Sequence, residues 1–291
     1  MGKIGNDFAS RRNIFLNLER RYSFSLFLAP HYRVRAVSEF RRGRERNIRM
    51  MEYLFLICLF VIAFLYSSVG HGGGTGYLAL LALFGVAPVF MKSTALTLNV
   101  FVAAIAFFSY YKAGYFKWKL VFPFLITSMP FAYLGAMTQV NTSTYKFILG
   151  VFLLIATVRM LLVPKAISEN AERMSFFWAL VIGASLGFFS GMIGIGGGII
   201  LSPLLILLHW ANVKESAAAS ALFIFLNSIS GLIALVKGGF TFEPHIVVWI
   251  LVGVVGGISG SYMGSFRLKS DKLKYVLASV LLLASVKLFI F

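Results

Sequence analysis

Charged residues are scarce in this 291-residue chain: Asp, Glu, Lys and Arg make up 13% of it, while hydrophobic residues make up 59%. A water-soluble domain has about a quarter charged residues and at most about half apolar ones. The composition therefore excludes a soluble protein. Apolar runs of at least ~18 residues recur, and no window alternates apolar and polar residues as a barrel strand does. The sequence predicts an all-α integral membrane protein, multi-pass in the cell membrane and surrounded by the lipid bilayer.

Cysteine is nearly absent as well, since Cys58 is the one cysteine of the chain. A single cysteine forms no internal disulfide, and Cys58 has no metal-ligand partner at a useful spacing. An enzyme acting within the membrane needs a nucleophile and a base, or a metal cluster, on the span interiors. His71, His209 and His245 do not supply such a set together with Cys58. We therefore expect no enzyme activity, no cofactor and no metal.

Acidic side chains are missing from the interiors of the apolar runs. A cation transporter generally places a carboxylate at membrane depth, whereas an anion transporter uses hydroxyls and amides. The absence therefore favours a small anionic substrate, and we expect no nucleic-acid partner. The acids beyond residue 50 fall at segment ends or in links, at Glu52, Glu169, Glu172, Glu215, Glu243 and Asp271.

Basic residues are concentrated at the amino terminus. Residues 1–49 hold 12 Lys and Arg against 4 Asp and Glu, hence a net charge of +8, and have no sustained apolar period. Three interpretations stand: an arm attracted to anionic lipid, an organelle-targeting presequence, or a translation start at Met50 or Met51. The predicted domains are a basic tail over 1–50 that is disordered or precedes the true start, a first membrane repeat over 51–165, a link over 166–175, and a second repeat over 176–291.

The apolar part of the chain contains an internal repeat. Three landmarks recur in one order about 125 residues apart, and two similar halves with glycine breaks in matching places are typical of secondary transporters. The landmarks are a glycine cluster (Gly70-His71-Gly72-Gly73-Gly74, then Gly194-Ile195-Gly196-Gly197-Gly198), a small-polar step (Ser93-Thr94-Ala95-Leu96, then Ala219-Ser220-Ala221-Leu222) and a basic-glycine-aromatic turn (Lys112-Ala113-Gly114-Tyr115, then Lys237-Gly238-Gly239-Phe240).

Ten apolar segments follow the tail, five in each repeat. The second of each five is too short to cross, since a crossing takes ~20 residues. Each repeat is therefore predicted to have about four transmembrane helices plus one short re-entrant or broken helix, and its even number of crossings predicts parallel-related halves. Ten crossings are the alternative. The segments are 53–70, 76–91, 94–111, 119–139 and 144–163, then 176–194, 198–210, 216–236, 245–266 and 271–290.

The glycine clusters predict a binding site. Three glycines break a helix, and the freed backbone groups must face protein, water or a ligand because lipid does not satisfy them. A new helix start also presents unpaired N–H groups and a positive dipole end to an anion. The predicted substrate-binding residues are Gly72, Gly73, Gly74, Thr75, Thr94 and Asn99 in the first half and Gly196, Gly197, Gly198, Ser220 and Asn227 in the second, with Ser93, Thr97, Ser202, Ser216 and Ser228 as further polar candidates.

His71 differs from its counterpart in the second glycine cluster, Ile195. Histidine changes charge near neutral pH, so His71 is the predicted proton-coupling residue and protons are a candidate second partner. The alternative is a histidine that only hydrogen-bonds a neighbouring helix.

Residues 191–205, Gly-Met-Ile-Gly-Ile-Gly-Gly-Gly-Ile-Ile-Leu-Ser-Pro-Leu-Leu, followed by Ala218-Ala219-Ser220-Ala221-Leu222, resemble the TauE/SafE family of membrane anion permeases, called sulfite exporters. The first copy departs from this motif at His71 and lacks a proline equivalent to Pro203. The resemblance implies a secondary transporter that moves sulfite or related organosulfur anions across the cytoplasmic membrane. The alternative functions are a passive anion channel and a transporter of an unrelated small anion.

Overall fold

The computed structural model describes residues 30–138, 140–162, 174–240, 242–266, 282, 285–286 and 289–290. Every regular element in these residues is an α-helix, which confirms the predicted all-α class. The nine helices described in these residues are α1 (Pro30–Ser68), α2 (Gly74–Leu83), α3 (Pro88–Lys112), α4 (Trp118–Met137), α5 (Thr142–Leu162), α6 (Phe176–Ile193), α7 (Gly198–Leu207), α8 (Val213–Lys237) and α9 (Ile246–Phe266).

The chain divides into two compact units, residues 1–53 and residues 54–291. In the first unit the described residues are helical from Pro30 onward, and residues 1–29 lie outside the described residues. The second unit contains the remainder of α1 and the helices α2 to α9. It also holds all the predicted site residues.

Six helices in the described residues are long and apolar enough to cross a membrane, which confirms a multi-pass membrane protein. They coincide with six of the eight predicted crossings. The apolar part of α5 is shorter, at Thr142–Ile155, and most of the predicted segment 271–290 lies outside the described residues. The six are Arg49–Ser68, Pro88–Lys112, Trp118–Met137, Phe176–Ile193, Val213–Lys237 and Ile246–Ser265.

The predicted short second segments are present as α2 and α7, each of 10 residues. Such a helix spans ~15 Å, about half of the hydrocarbon core. The predicted bounds 76–91 were wrong, because α2 ends at Leu83 and α3 already begins at Pro88. Gly85, with φ +73°, and Pro88 at the first helical turn explain this division of one apolar run, since each favours a helix boundary.

Glycines let neighbouring helices pack backbone to backbone. A methyl group placed on Gly183 would lie 2.9 Å from Phe124 Cα, and one on Gly191 would lie 2.9 Å from Ala132 Cα, so α6 runs parallel to α4 at close range. Gly253 of α9 instead makes room for the side chain of Leu98 on α3. These contacts are helix packing through small residues.

The internal repeat as a whole stays a prediction. The packing of α3 and α8, which occupy equivalent places in it, indicates how its two halves are related. α3 and α8 pack antiparallel: Leu96 lies against Gly231 near the carboxyl end of α8, whereas Tyr110 packs with Ala217 near its amino end. Halves related by an axis along the membrane normal hold equivalent helices in the same direction. The α3–α8 pair therefore favours an inverted relationship in place of the parallel one. An inverted relationship requires an odd number of crossings per half, which agrees better with the ten-crossing alternative.

Candidate functional site

The two glycine breaks meet inside the second unit. The first break lies between α1 and α2, and the second lies between α6 and α7. A methyl group placed on Gly74 would overlap the carbonyl oxygen of Ile195, so the start of α2 contacts the backbone of the other break. The structure thus brings together two segments that are more than 100 residues apart in the sequence.

Left-handed backbone conformations build both breaks. Gly73 has φ +106°, and Gly196 and Gly197 have φ +76° each. Residues with a Cβ rarely adopt a positive φ, because the Cβ then crowds the backbone. This explains why each break carries glycine at these positions. Gly73 and Gly197 are the N-cap residues of α2 and α7, and neither helix start has a side-chain cap. The arrangement places two uncapped helix starts at one junction, where their N–H groups and dipoles favour an anion.

The carboxamide of Asn99 lies between the two breaks. Its Oδ1 is 3.1 Å from the position of a Cβ on Gly72, and its Nδ2 is 3.0 Å from the corresponding position on Gly196. The side chain is fully buried, yet neither of its polar atoms has a hydrogen-bond partner within the described residues. An unpartnered buried polar group costs about 1–3 kcal/mol. A ligand or water that bonds this amide would remove that cost.

Further unpartnered polar atoms surround the same junction. Ser228 Oγ is 3.3 Å from the Cβ position of Gly196, and the Tyr77 hydroxyl is 2.7 Å from that of Gly73. Ser190 Cβ lies 3.3 Å from the corresponding position of Gly197. In the part of the chain that the structure describes, the buried side chains with an unpartnered polar atom are Tyr77, Thr94, Asn99, Ser128, Ser190, Ser220, Asn227 and Ser228. Four of the eight, namely Thr94, Asn99, Ser220 and Asn227, are predicted substrate-binding residues.

α8 contacts the junction beside α3. Ile224 is a nearest neighbour of Gly72, Gly196 and Gly198, and the Ser220 carbonyl oxygen is 3.1 Å from the Cβ position of Gly198. Both α3 and α8 therefore contact the break glycines, and both carry unpartnered polar groups.

The remaining predicted residues differ in their surroundings. Thr94 and Asn227 are buried on α3 and α8, but they are not among the nearest neighbours of the break glycines. The hydroxyl of Thr75 shares a hydrogen bond of 3.0 Å with that of Tyr66. Among the further candidates, Ser216 donates to the Ser202 carbonyl oxygen at 2.5 Å, and Thr97 donates to that of Ser93 at 2.8 Å.

His71 is bound to its own turn. Its Nδ1 lies 2.9 Å from the Val69 carbonyl oxygen, which can only accept, so Nδ1 carries the hydrogen. Its backbone N–H donates to the Tyr66 carbonyl oxygen at 2.9 Å. His71 is partly exposed within the first break.

Sequence reasoning missed Lys92, Tyr77, Ser190 and Ser128. Lys92 could have been found as a lone cation in an apolar run directly before Ser93 and Thr94. It is the one charged side chain among the buried residues that the structure describes. The junction therefore combines neutral hydrogen-bonding groups with a nearby positive charge.

Comparisons with known proteins identify the family to which the chain is similar. The family model described as sulfite exporter TauE/SafE matches residues 54–288. The chain is 32% identical over 238 residues to a probable membrane transporter protein of Sinorhizobium fredii, an alignment that covers 80% of this chain and 96% of the relative. It is 31% identical over 193 residues to a probable membrane transporter protein of Methanocaldococcus jannaschii, with coverage of 62% and 71%. A probable membrane transporter protein of Bacillus subtilis is 25% identical over 213 residues, with coverage of 63% and 78%. No solved structure matches the chain significantly.

Proposed function

Because the chain belongs to the sulfite exporter TauE/SafE family and is a membrane transporter, as its motifs predicted, we propose that it is a secondary transporter of small anions. The proposed substrates are sulfite and related organosulfur anions. Protons are the proposed coupling ion.

One observation carries this proposal: two uncapped helix starts meet around buried, unpartnered hydrogen-bonding groups. Asn99 contributes an amide N–H group there, and Ser228 contributes a hydroxyl. An anion that leaves water needs such donors in place of its hydration shell. Both donors are neutral, and the Lys92 ammonium adds a positive charge near the same junction.

Electrostatics distinguish an anion from a cation as the substrate. From Met50 onward, the acidic residues that the structure describes are Glu52, Glu215 and Glu243, and none of them is buried. Glu215 instead pairs with Lys117 at 2.6 Å and caps α8. A cation at the junction would face two positive helix ends and no carboxylate from the described residues, which opposes its binding.

The packing of α3 and α8 also supports a carrier mechanism. The break glycines contact both α3 and α8, which run in opposite directions and occupy equivalent places in the predicted repeat. Transporters built from inverted repeats expose a central site by rocking one bundle against the other. A carrier binds its substrate before each conformational change. Its flux therefore saturates, and substrate on one side accelerates the movement of labelled substrate from the other.

A counterflow experiment tests the proposal. The full-length protein is reconstituted into liposomes loaded with unlabelled sulfite, and uptake of labelled sulfite is compared with that of liposomes loaded with thiosulfate, methanesulfonate or chloride. We expect accelerated uptake with sulfite or another sulfur oxyanion inside. Conductance without counterflow would instead indicate the passive channel, and counterflow with chloride alone would indicate an unrelated anion.

A further inference from the structure

Lys92 and Ala217 occupy reciprocal positions against the two breaks. A methyl group placed on Gly194 would lie 3.1 Å from Lys92 Cα and 3.2 Å from its carbonyl oxygen. One placed on Gly70 would lie 2.8 Å from Ala217 Cα and 2.7 Å from its carbonyl oxygen. Each half thus presses its first break glycine against the amino-terminal part of the other half's long helix. Because α3 and α8 run antiparallel, these two contacts lie at opposite ends of the helix pair.

The two contacts differ in charge. Lys92 carries an ammonium group where Ala217 carries a methyl group. The Lys92 side chain is buried, with 8% of the residue exposed, and its ammonium donates to the Ala136 carbonyl oxygen at 2.7 Å. Within the described residues, no carboxylate lies at ion-pair distance from it.

A structural role does not account for this arrangement. Ala136 lies in the last turn of α4, where a cation is favourable to the helix dipole. The desolvation of a buried ammonium costs more than such a contact returns, unless a counter-charge pairs with it. One carbonyl oxygen also leaves two of the three ammonium hydrogens available for other acceptors. The missing counter-charge is the feature that an anionic substrate supplies.

We propose that Lys92 is the charge-selecting residue of the anion pathway, and that it makes the two ends of that pathway unequal. This inference rests on the proposed function of the junction. The Lys92 ammonium binds an oxygen of a sulfur oxyanion in place of the Ala136 carbonyl oxygen, beside the second break. The anion then passes to the neutral donors around Asn99. At the Ala217 end the facing side chain is a methyl group. Lys214, one helical turn away, is only half-buried and already donates to the Tyr115 hydroxyl and the Ser265 carbonyl oxygen. An anion approaching from that end therefore meets no buried ammonium among the described residues and binds more weakly.

The test measures sulfite transport from each side of the membrane. Right-side-out and inside-out vesicles containing the full-length protein or its variants give a KM for each direction. We expect K92M and K92A to raise the KM from the Lys92 end by about tenfold and to change the KM from the other end by less than about twofold. K92R keeps the charge and is expected to stay within about threefold of the wild type. K237A removes an exposed lysine at the end of α8 and serves as the matched control.

A stability measurement separates charge selection from structural support. Methionine matches the apolar stem of lysine and has no charge to desolvate, so K92M is expected to keep or raise the Tm of the purified protein. A lower Tm, with equal losses of flux in both directions and no rescue by K92R, would assign Lys92 to helix capping and overturn the inference.

Failure of the inference and failure of the proposed function give different results. A wild-type protein that transports sulfite while K92M retains both KM values contradicts the role of Lys92 alone. A wild-type protein that transports none of the sulfur oxyanions contradicts both proposals.

Discussion

Asn99 Nδ2 stands 3.0 Å from the position that a Cβ would take on Gly196, so a long helix of the first half fills space left open by a glycine of the second. The same carboxamide has no partner within the described residues, although it is fully buried. The break glycines therefore do two things at once: they free backbone N–H groups, and they let a polar side chain approach those groups. The predictions below separate these contributions.

The first prediction concerns the space beside Gly197. A Cβ on this residue would lie 2.8 Å from Phe223 Cε1, and its φ of +76° disfavours any side chain. Gly197→Leu is expected to abolish anion flux in proteoliposomes while the protein still inserts into the membrane.

A matched control separates backbone strain from lost space. Gly239 has φ +71° and nothing within 4 Å of its Cβ position, so Gly239→Leu carries the strain without the overlap. We expect this variant to keep most of its flux. Wild-type flux in Gly197→Leu, at an equal amount of membrane protein, would show that the second break serves packing alone.

The second prediction concerns Asn99. Leucine has the same number and branching of side-chain heavy atoms as asparagine but no polar atoms, so Asn99→Leu removes two unpartnered buried atoms. The Tm is expected to rise, because each such atom costs about 1–3 kcal/mol, while sulfite counterflow falls by at least about tenfold. Ser185→Ala, on an exposed face of α6, is expected to change neither quantity. A variant with lower stability and unchanged transport would show that the Asn99 amide supports the fold.

Periodicity and composition were sufficient to predict much of this structure. The triple glycines predicted the breaks, and the polar residues on the following long helices included Asn99 and Ser220, which are buried and unpartnered. The helix boundary at Pro88 was missed because hydropathy does not change there, whereas backbone conformation does.

Long-range contacts explain what the sequence could not provide. The packing of Gly194 on Lys92 joins positions about 100 residues apart, and that of Gly70 on Ala217 joins positions about 150 residues apart. No local pattern indicates which turn of α3 faces which turn of α8. The antiparallel direction of that pair, and hence the role proposed for Lys92, required three-dimensional contacts.

The third prediction is that the amino-terminal tail is dispensable. Its net charge of +8 and lack of apolar periodicity suggest attraction to anionic lipid, worth about 1 kcal/mol per basic residue near the surface. A protein that begins at Met51 retains the whole region matched by the family model, residues 54–288. We expect it to insert and to transport normally. Misrouting or an inverted orientation, measured by protease accessibility in vesicles, would instead identify residues 1–50 as a targeting or topology signal.

The last prediction concerns His71 as the proton-coupling residue. An imidazole ordinarily titrates near pH 6.5, and a positive charge beside the first break favours a bound anion. Binding and protonation then strengthen each other by linkage, so anion affinity should rise as the pH falls from about 8 to about 5. Methanesulfonate is the suitable ligand, since its own charge does not change over this range. His71→Ile copies the second break and is expected to bind methanesulfonate with an affinity that no longer depends on pH. His71→Asn offers an uncharged N–H donor in place of the Nδ1 that bonds Val69, so it is expected to keep the turn and likewise lose the pH dependence. If both variants retained the wild-type pH profile, another group would have to carry the proton.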